Sequence, residues 1–138
     1  MVNVQDKRIG PLYQHVFPPR LAPRLSFVGI PEKGFTFLTM ELQSRWIAHV
    51  LSGKILLPSE DEMSSDVKHY YQEMKENGLL EYQTHSLAKK PQYLDWMYAQ
   101  LGMVIEKQIK DIIEYFTHCY IMAGFDGYMD AFLQKYGI

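Results

Sequence analysis

Apolar residues recur at helical spacing along most of the chain beyond about residue 39. The first stripe predicts a helix over residues 39–53 that stops at Ser52-Gly53; its apolar members are Leu42, Trp46, Ile47, Val50 and Leu51. Three further helical runs are predicted, beginning near Pro91 and spanning residues 104–121 and 128–135. The pattern therefore indicates a mostly helical chain.

Residues 59–78 carry the strongest helix signals in the sequence. Ser59 is placed to cap the helix, and Glu62 stands at the capping-box position three residues later. The acidic residues of the first turn suit the positive end of the helix dipole, and Asn77-Gly78 ends the helix. Its predicted buried stripe consists of Met63, Val67, Tyr70, Tyr71 and Met74.

The first 31 residues have a different texture, because five of the seven prolines fall there. Proline removes a backbone donor, so loops and short extended pieces are expected. Within them, residues 25–30 are predicted to form a short buried strand between Pro23 and Pro31. A lone buried strand needs a partner. Either a second strand lies in the first 20 residues, or the partners lie in polypeptide beyond this chain; the second alternative is favoured.

Composition limits the function classes. The 138 residues are 47% hydrophobic and 22% charged with a net charge of −2, which is typical of one soluble globular domain and argues against nucleic-acid binding. The single cysteine, Cys119, cannot form an internal disulfide, and no apolar run is long enough to span a membrane. With no signal peptide at the start, a cytoplasmic location is expected.

Several common sites are missing from the sequence. The nine glycines contain no G-x-G pair, so neither a dinucleotide-binding turn nor a phosphate loop is present. None of the five histidines has a partner at a zinc-ligand spacing, and they are interpreted as ordinary surface or core residues. No metal site and no catalytic residue are therefore predicted.

Residues 25–53 are the segment with a candidate function. A strand, a glycine-containing loop and a helix beginning near Thr39 form an arrangement that, in nucleotide-binding folds, points backbone N–H groups at a ligand. The alternative is a plain connection followed by a capped helix. The residues alone leave both open.

Four linked segments resemble flavin-containing monooxygenases, most of all the plant S-oxygenating (glucosinolate S-oxygenase-like) branch. They are GPLYQHVFPP at 10–19, LSFVGIP at 25–31, ELQSRW at 41–46 and LPSEDEM at 57–63. The similarity covers roughly residues 9–102, in the family's order and spacing, and corresponds to the C-terminal third of such enzymes.

The resemblance implies a fold and a division of the chain. The fold class is mostly α with a short β remnant, as the C-terminal piece of an α/β flavoprotein with two dinucleotide-binding domains. Residues 1–53 are then the end of the FAD-binding domain, with strand 25–30 and the flavin-side helix 39–53. Residues 54–102 are a helical cap, and residues 103–138 a divergent helical tail.

The resemblance also implies an activity. Such enzymes use FAD and NADPH to oxygenate soft nucleophilic sulfur or nitrogen in small molecules. Both glycine-rich motifs lie upstream of the matched region, so this chain is expected to be an inactive piece by itself. Gln43 is carried over as a cofactor contact rather than a residue of the fold, followed by Thr39 and Met40. The alternative is a non-enzymatic helical protein that pairs with another polypeptide through the open edge of strand 25–30.

Overall fold

The structure is a computed structural model that describes residues 2–5, 7–90, 92–115, 118, 133–135 and 137. The chain divides into two compact units, residues 1–102 and residues 103–138. Most of the described residues belong to the first unit.

The first unit begins with a short antiparallel hairpin. Strand β1 spans Asn3–Gln5 and strand β2 spans Arg8–Gly10, with Val4 opposite Ile9. Lys7, in the connecting turn, has a φ of 64°. β1 is exposed along its length, whereas β2 runs inward to the buried Gly10. Among the described residues, β1 and β2 form a two-stranded sheet, and neither strand pairs with a third strand.

The predicted strand over residues 25–30 is wrong, since this segment is an irregular loop. Its backbone N–H groups have three unrelated acceptors: Leu25 donates to Leu21 O, Phe27 to Val16 O, and Gly29 to the side chain of Gln43. A ladder with one neighbouring strand is therefore not formed. The segment is not buried either, because Leu25 and Val28 are 38% and 45% exposed.

Helix α1 spans Thr36–Leu51, three residues earlier at its start than predicted. Its N-cap residue, Phe35, makes no side-chain cap, so the sequence carries none of the usual signals for this boundary. The helix ends as predicted: the Ser52 N–H bonds to the carbonyls of the last turn, and Gly53 adopts a φ of 74° that favours glycine.

Helix α2 spans Glu60–Glu76, and its capping box is confirmed. The Glu62 N–H donates to Ser59 Oγ at 3.3 Å, and the Ser59 N–H donates to Glu62 Oε2 at 2.8 Å. Three members of the predicted stripe are buried, Met63, Val67 and Met74, whereas Tyr70 and Tyr71 are half-buried. Asn77 and Gly78 end the helix as expected.

Helix α3 spans Tyr93–Gln100, close to the start predicted near Pro91. Between α2 and α3 the chain makes two short 3-10 turns, Glu81–Gln83 and Leu87–Lys89. In the second unit, residues 107–115 and 133–135 are helical. Residues 104–106, at the start of the run predicted over 104–121, are irregular. Apart from residue 118, the remaining residues of the runs predicted over 104–121 and 128–135 lie outside the described residues.

The core of the first unit is an aromatic cluster around Trp46 of α1. The rings of Phe17 and Trp96 lie at centroid distances of 5.1 Å from the Trp46 ring, and Tyr13 lies at 6.2 Å. Tyr13 and Phe17 come from the turn after β2, and Trp96 comes from α3. The cluster thus joins residues of 1–53 and 54–102 in one core. The prediction of a mostly helical chain with a small β component is confirmed.

Candidate functional site

Gln43 lies at the centre of a buried hydrogen-bond network. It occupies the inner face of α1 with 0% of its surface exposed. Its Oε1 atom accepts from the Gly29 N–H at 3.0 Å, and its Nε2 atom donates to the Tyr93 hydroxyl at 2.9 Å. The Tyr93 hydroxyl in turn donates to the Gln14 carbonyl at 2.9 Å. The Gln43 amide and the Tyr93 hydroxyl together therefore join four segments of the chain.

This network corrects the expectation that the fold has no need of a polar residue at position 43. A buried amide without partners costs about 1–3 kcal/mol, whereas here both ends of the amide are bonded. Gln43 is a structural crosslink between the loop at residues 25–30 and α3.

Gly29 shows why the loop approaches α1 so closely. Its φ of 80° is left-handed, and a Cβ atom at this position would lie 2.5 Å from the Cε atom of Met40. A side chain at residue 29 would therefore be strained and would displace Met40. Met40, on the outer side of the first helical turns, is half-buried beneath this glycine. Of the predicted site residues, Met40 and Gln43 both contact the loop.

Thr39 occupies the turn that precedes Gln43 on the same face of α1. It is 2% exposed, and its hydroxyl has no hydrogen-bond partner among the residues that the structure describes. The Thr39 N–H is used by the helix, since it donates to the Phe35 carbonyl at 2.8 Å. Thr39 therefore supplies a buried hydroxyl that the fold itself does not satisfy.

The electrostatics of the network are those of neutral groups. Burial raises the pKa of Tyr93 well above its ordinary value, and the bond from Gln43 opposes this only in part. Tyr93 is thus a neutral phenol at physiological pH, able to accept and donate at the same time. The arrangement can position groups and exclude water, and it offers no acid or base that titrates near pH 7.

A second polar cluster lies beside the network. Lys90 Nζ donates to Gln14 Oε1 at 3.0 Å and lies 4.6 Å from the centroid of the Tyr70 ring. His15 and His85 approach each other at 3.0 Å within the same region. The sequence predicts neither these contacts nor the role of Tyr93. The residues of the pairs His15–His85 and Gln14–Lys90 are 70 or more positions apart, and Tyr93 belongs to no motif.

No group of three or more histidine, cysteine, aspartate or glutamate side chains in the described ranges is arranged to hold a metal ion. None of the helices in that part of the chain is both long enough and apolar enough to cross a membrane.

Comparison with known proteins gives relatives from plants. The chain is 54% identical to the flavin-containing monooxygenase FMO GS-OX-like 6 of Arabidopsis thaliana over 86 residues, which cover 62% of this chain and 18% of that protein. It is 48% identical to FMO GS-OX4 of the same plant over 97 residues, which cover 70% of this chain and 21% of that protein. The chain thus spans about a fifth of the length of these relatives.

A solved plant structure is similar to this one. The S-allyl-L-cysteine S-oxygenase of Allium sativum matches 97% of this chain with a TM-score of 0.82 and 40% sequence identity, and the match covers 32% of that protein. The model of the flavin-binding monooxygenase-like family matches residues 1–117. The chain belongs to the flavin-binding monooxygenase-like family.

Proposed function

We propose that this chain is the C-terminal part of a monooxygenase that uses FAD and NADPH to oxygenate soft nucleophilic sulfur or nitrogen in small molecules. The observation that carries the proposal is the match to the S-allyl-L-cysteine S-oxygenase, with a TM-score of 0.82 and 40% identity over 97% of the chain. Of the two elements, sulfur is the better supported, because this solved neighbour is an S-oxygenase.

The residues at the start of α1 fit a bound cofactor in one respect. The Thr39 hydroxyl is buried and lacks a partner among the described residues, so a nitrogen or oxygen atom of the flavin or nicotinamide would satisfy it. Met40 lies beside it and supplies apolar contact. In this proposal Thr39 is the direct polar contact and Met40 flanks it.

Gln43 fits a direct cofactor contact less well. Both ends of its amide are already bonded within the chain, whereas the Thr39 hydroxyl lacks a partner among the described residues. We therefore assign it an indirect role, in which it holds Gly29 and the loop at residues 25–30 against the helix. Loss of Gln43 would move this loop, and the cofactor would be affected through the loop.

The division of labour follows from the chemistry of the cofactors. When bound, the flavin and the nicotinamide supply the oxygen activation and the reducing equivalents, respectively. The residues of this chain orient the pocket and keep water out, for which the aromatic core around Trp46 gives a rigid support. No G-x-G pair is present, so the phosphates are held by other polypeptide.

The alternative, a non-enzymatic protein that pairs through the edge of a strand at residues 25–30, loses its physical basis. No strand forms there, and the N–H groups of Leu25, Phe27 and Gly29 are already bonded within the chain. The monooxygenase proposal is therefore the one retained.

A chimera tests the proposal. The matching third of the Allium sativum enzyme is replaced by this 138-residue chain, and sulfoxide formation is measured against NADPH consumption. We expect the chimera to retain FAD and to form sulfoxide. Thr39→Val should lower the yield of sulfoxide per NADPH, whereas Thr36→Val, at an exposed hydroxyl bonded to the Gly34 carbonyl, should leave it unchanged.

Two results would contradict the proposal. A chimera that folds and binds FAD but forms no sulfoxide would reject the assigned activity. Saturable quenching of flavin fluorescence by the purified 138-residue chain at micromolar protein would reject the assignment of the main FAD contacts to other polypeptide, because those contacts would then lie in this chain.

A further inference from the structure

Two buried histidines are bonded to each other in the first unit. His15 Nδ1 lies 3.0 Å from His85 Nδ1, and the two residues are separated by 70 positions in the sequence. They are 3% and 7% exposed. The rings of Tyr70 and Tyr93 pack against His15 at centroid distances of 5.7 and 5.3 Å. Water therefore has little access to the pair.

The protonation of both rings follows from their partners. His85 Nε2 lies 3.0 Å from the Ile9 carbonyl, which can only accept, so His85 carries its proton on Nε2. In a neutral ring His85 Nδ1 is then an acceptor, and His15 Nδ1 must be the donor. This leaves a lone pair on His15 Nε2, which is buried and has no partner among the described residues.

The pair joins segments that are far apart in the chain. His85 holds β2 through the Ile9 carbonyl, and its own carbonyl accepts from the Glu32 N–H at 2.9 Å. His15 belongs to the turn between Tyr13 and Phe17, and has a left-handed φ of 62°. One N–H···N bond thus ties a strained turn to the region that also anchors β2 and residue 32.

We propose that the His15–His85 bond is an acid-sensitive latch, which holds the turn at residues 13–17 against His85 when both rings are neutral and releases it when His85 takes up a proton on Nδ1. A proton on His85 Nδ1 removes the acceptor and breaks the bond. A proton on His15 Nε2 would leave the bond in place, but it would put a cation in a buried position that Lys90 faces, which disfavours that state.

The charges around the pair make proton uptake unfavourable. Lys90 faces His15 from the segment before α3, and its ammonium is shared with Gln14 Oε1. Arg8 of β2 faces His85 and disfavours a charge there, whereas Glu32 favours it. The other titratable groups that face this region are Tyr70, Asp66 and Glu73 of α2, Glu81 beside Arg8, and Tyr93 of α3. The three acids of α2 and the 3-10 turn act on Lys90 and Arg8 rather than on the imidazoles.

Burial is the main cause of the shift in both rings. It lowers the pKa of His15 well below the ordinary value, and Lys90 and His85 add to the effect. Burial also lowers the pKa of His85, although the Ile9 carbonyl opposes it. A lowered pKa means that the unfolded chain binds the proton more readily. The stability contributed by the latch is therefore complete above about pH 6.5 and is lost as the pH falls below that value.

Nitrogen NMR of the two imidazoles in the 138-residue chain tests the latch directly. At pH 7.5 we expect both rings to be neutral, His15 protonated on Nδ1 and His85 on Nε2. The proposal is overturned if both rings carry the proton on Nε2, if either is charged, or if both titrate near pH 6.5 as free imidazoles do. This measurement needs no variant.

A second test uses variants that keep the hydrogen bonds and remove the titration. His15→Asn retains a donor near the position of Nδ1 and tolerates the left-handed backbone, and His85→Gln retains a donor toward Ile9. In the wild type the unfolding equilibrium should shift toward the unfolded chain by up to about tenfold per pH unit for each histidine below pH 6.5. The double variant should lose most of this dependence.

His69→Gln, an exposed histidine on α2, is the matched control and should keep the dependence of the wild type. The proposal fails if the double variant folds and shows the same loss of stability between pH 7 and pH 5 as His69→Gln. If the double variant does not fold, the protonation states found in the wild type still decide the question.

Discussion

The amide of Gln43 donates to the hydroxyl of Tyr93 at 2.9 Å across 50 positions of sequence. This bond joins α1 to α3 in the interior of the first unit, and the hydroxyl extends the chain of bonds to the Gln14 carbonyl. Since both side chains are buried, neither has water as a substitute partner. The relationship makes Gln43 a residue of the fold, whatever it contributes to a cofactor pocket.

Removal of either partner should therefore destabilise the chain. Gln43→Ala leaves the Gly29 N–H and the Tyr93 hydroxyl each without one partner, and we expect a loss of about 2 kcal/mol or more in the free energy of unfolding. Tyr93→Phe keeps the ring but deprives the Gln43 amide and the Gln14 carbonyl, and should lose about 1–2 kcal/mol. Urea denaturation of the purified chain measures both.

The control is Gln72→Ala, at an exposed glutamine of α2 that bonds to Glu76 one turn away. Its effect should lie within about 0.5 kcal/mol. In the double variant Gln43→Ala/Tyr93→Phe the two losses should not add, because they share one bond. A Gln43→Ala variant as stable as Gln72→Ala would remove the structural role assigned to Gln43.

The sequence predicted those elements whose signals are local. The capping box of Ser59 and Glu62, the acidic first turn and the Asn77-Gly78 end all lie within α2 itself, and this helix was predicted almost to the residue. The start of α1 was placed three residues late because Phe35 gives no capping signal. Local signals thus predict α2 closely and leave the start of α1 undetermined.

The segment at residues 25–30 shows where local reading failed. Its apolar run between prolines is typical of a buried strand, but strand formation depends on a neighbour that the sequence does not display. The neighbours are instead Leu21, Val16 and Gln43, each of which satisfies one N–H group. The same reason hid the histidine pair, since two residues 70 positions apart have no spacing to recognise.

The cap of α2 gives a second prediction. Ser59→Ala removes the acceptor for the Glu62 N–H and the donor to Glu62 Oε2, and should lower the free energy of unfolding by about 1 kcal/mol. The bonds from Ser59 lower the pKa of Glu62, so this pKa should rise toward its ordinary value in the variant. Denaturation and a carboxyl NMR titration measure the two effects.

The comparison for this cap is Ser65→Ala, in the exposed middle of the same helix. Alanine is the better helix former there, so stability should stay the same or rise by a few tenths of a kcal/mol. Equal losses in Ser59→Ala and Ser65→Ala would show that the cap has no special contribution.

The approach of Gly29 to Met40 gives a third prediction. Gly29→Ala places a Cβ atom at a left-handed φ and 2.5 Å from Met40 Cε, so two costs combine. Gly53→Ala has a similar φ but open space around it, and should cost only the backbone strain of about 1–2 kcal/mol. We expect Gly29→Ala to be the more destabilising of the two in denaturation experiments.

A second substitution separates the two costs at Gly29. Met40→Ala removes the atoms that the new methyl group would meet, so Gly29→Ala should cost less in a Met40→Ala background than in the wild type. If the cost is the same in both backgrounds, backbone strain alone explains it and the close approach has no energetic role.

Tyr70 gives the last prediction, at alkaline pH. Its hydroxyl donates to the Thr84 carbonyl at 2.7 Å, and burial, aided by Glu73 and Tyr71, raises its pKa to about 12. A raised tyrosine pKa means that the folded chain holds its proton longer than the unfolded chain. The resulting stability is complete below about pH 10 and is lost as the pH rises from 10 toward 12. Tyr70→Phe should therefore lower the free energy of unfolding at pH 7 by about 1 kcal/mol, because the hydrogen bond is lost, and should show a shallower alkaline decline in stability.

Tyr82→Phe, at a tyrosine that is 47% exposed, is the control and should keep the stability and the alkaline decline of the wild type. Denaturation midpoints measured between pH 7 and pH 11.5 distinguish the variants, and an alkaline decline in Tyr70→Phe as steep as that of Tyr82→Phe would show that the Tyr70 phenol does not carry it.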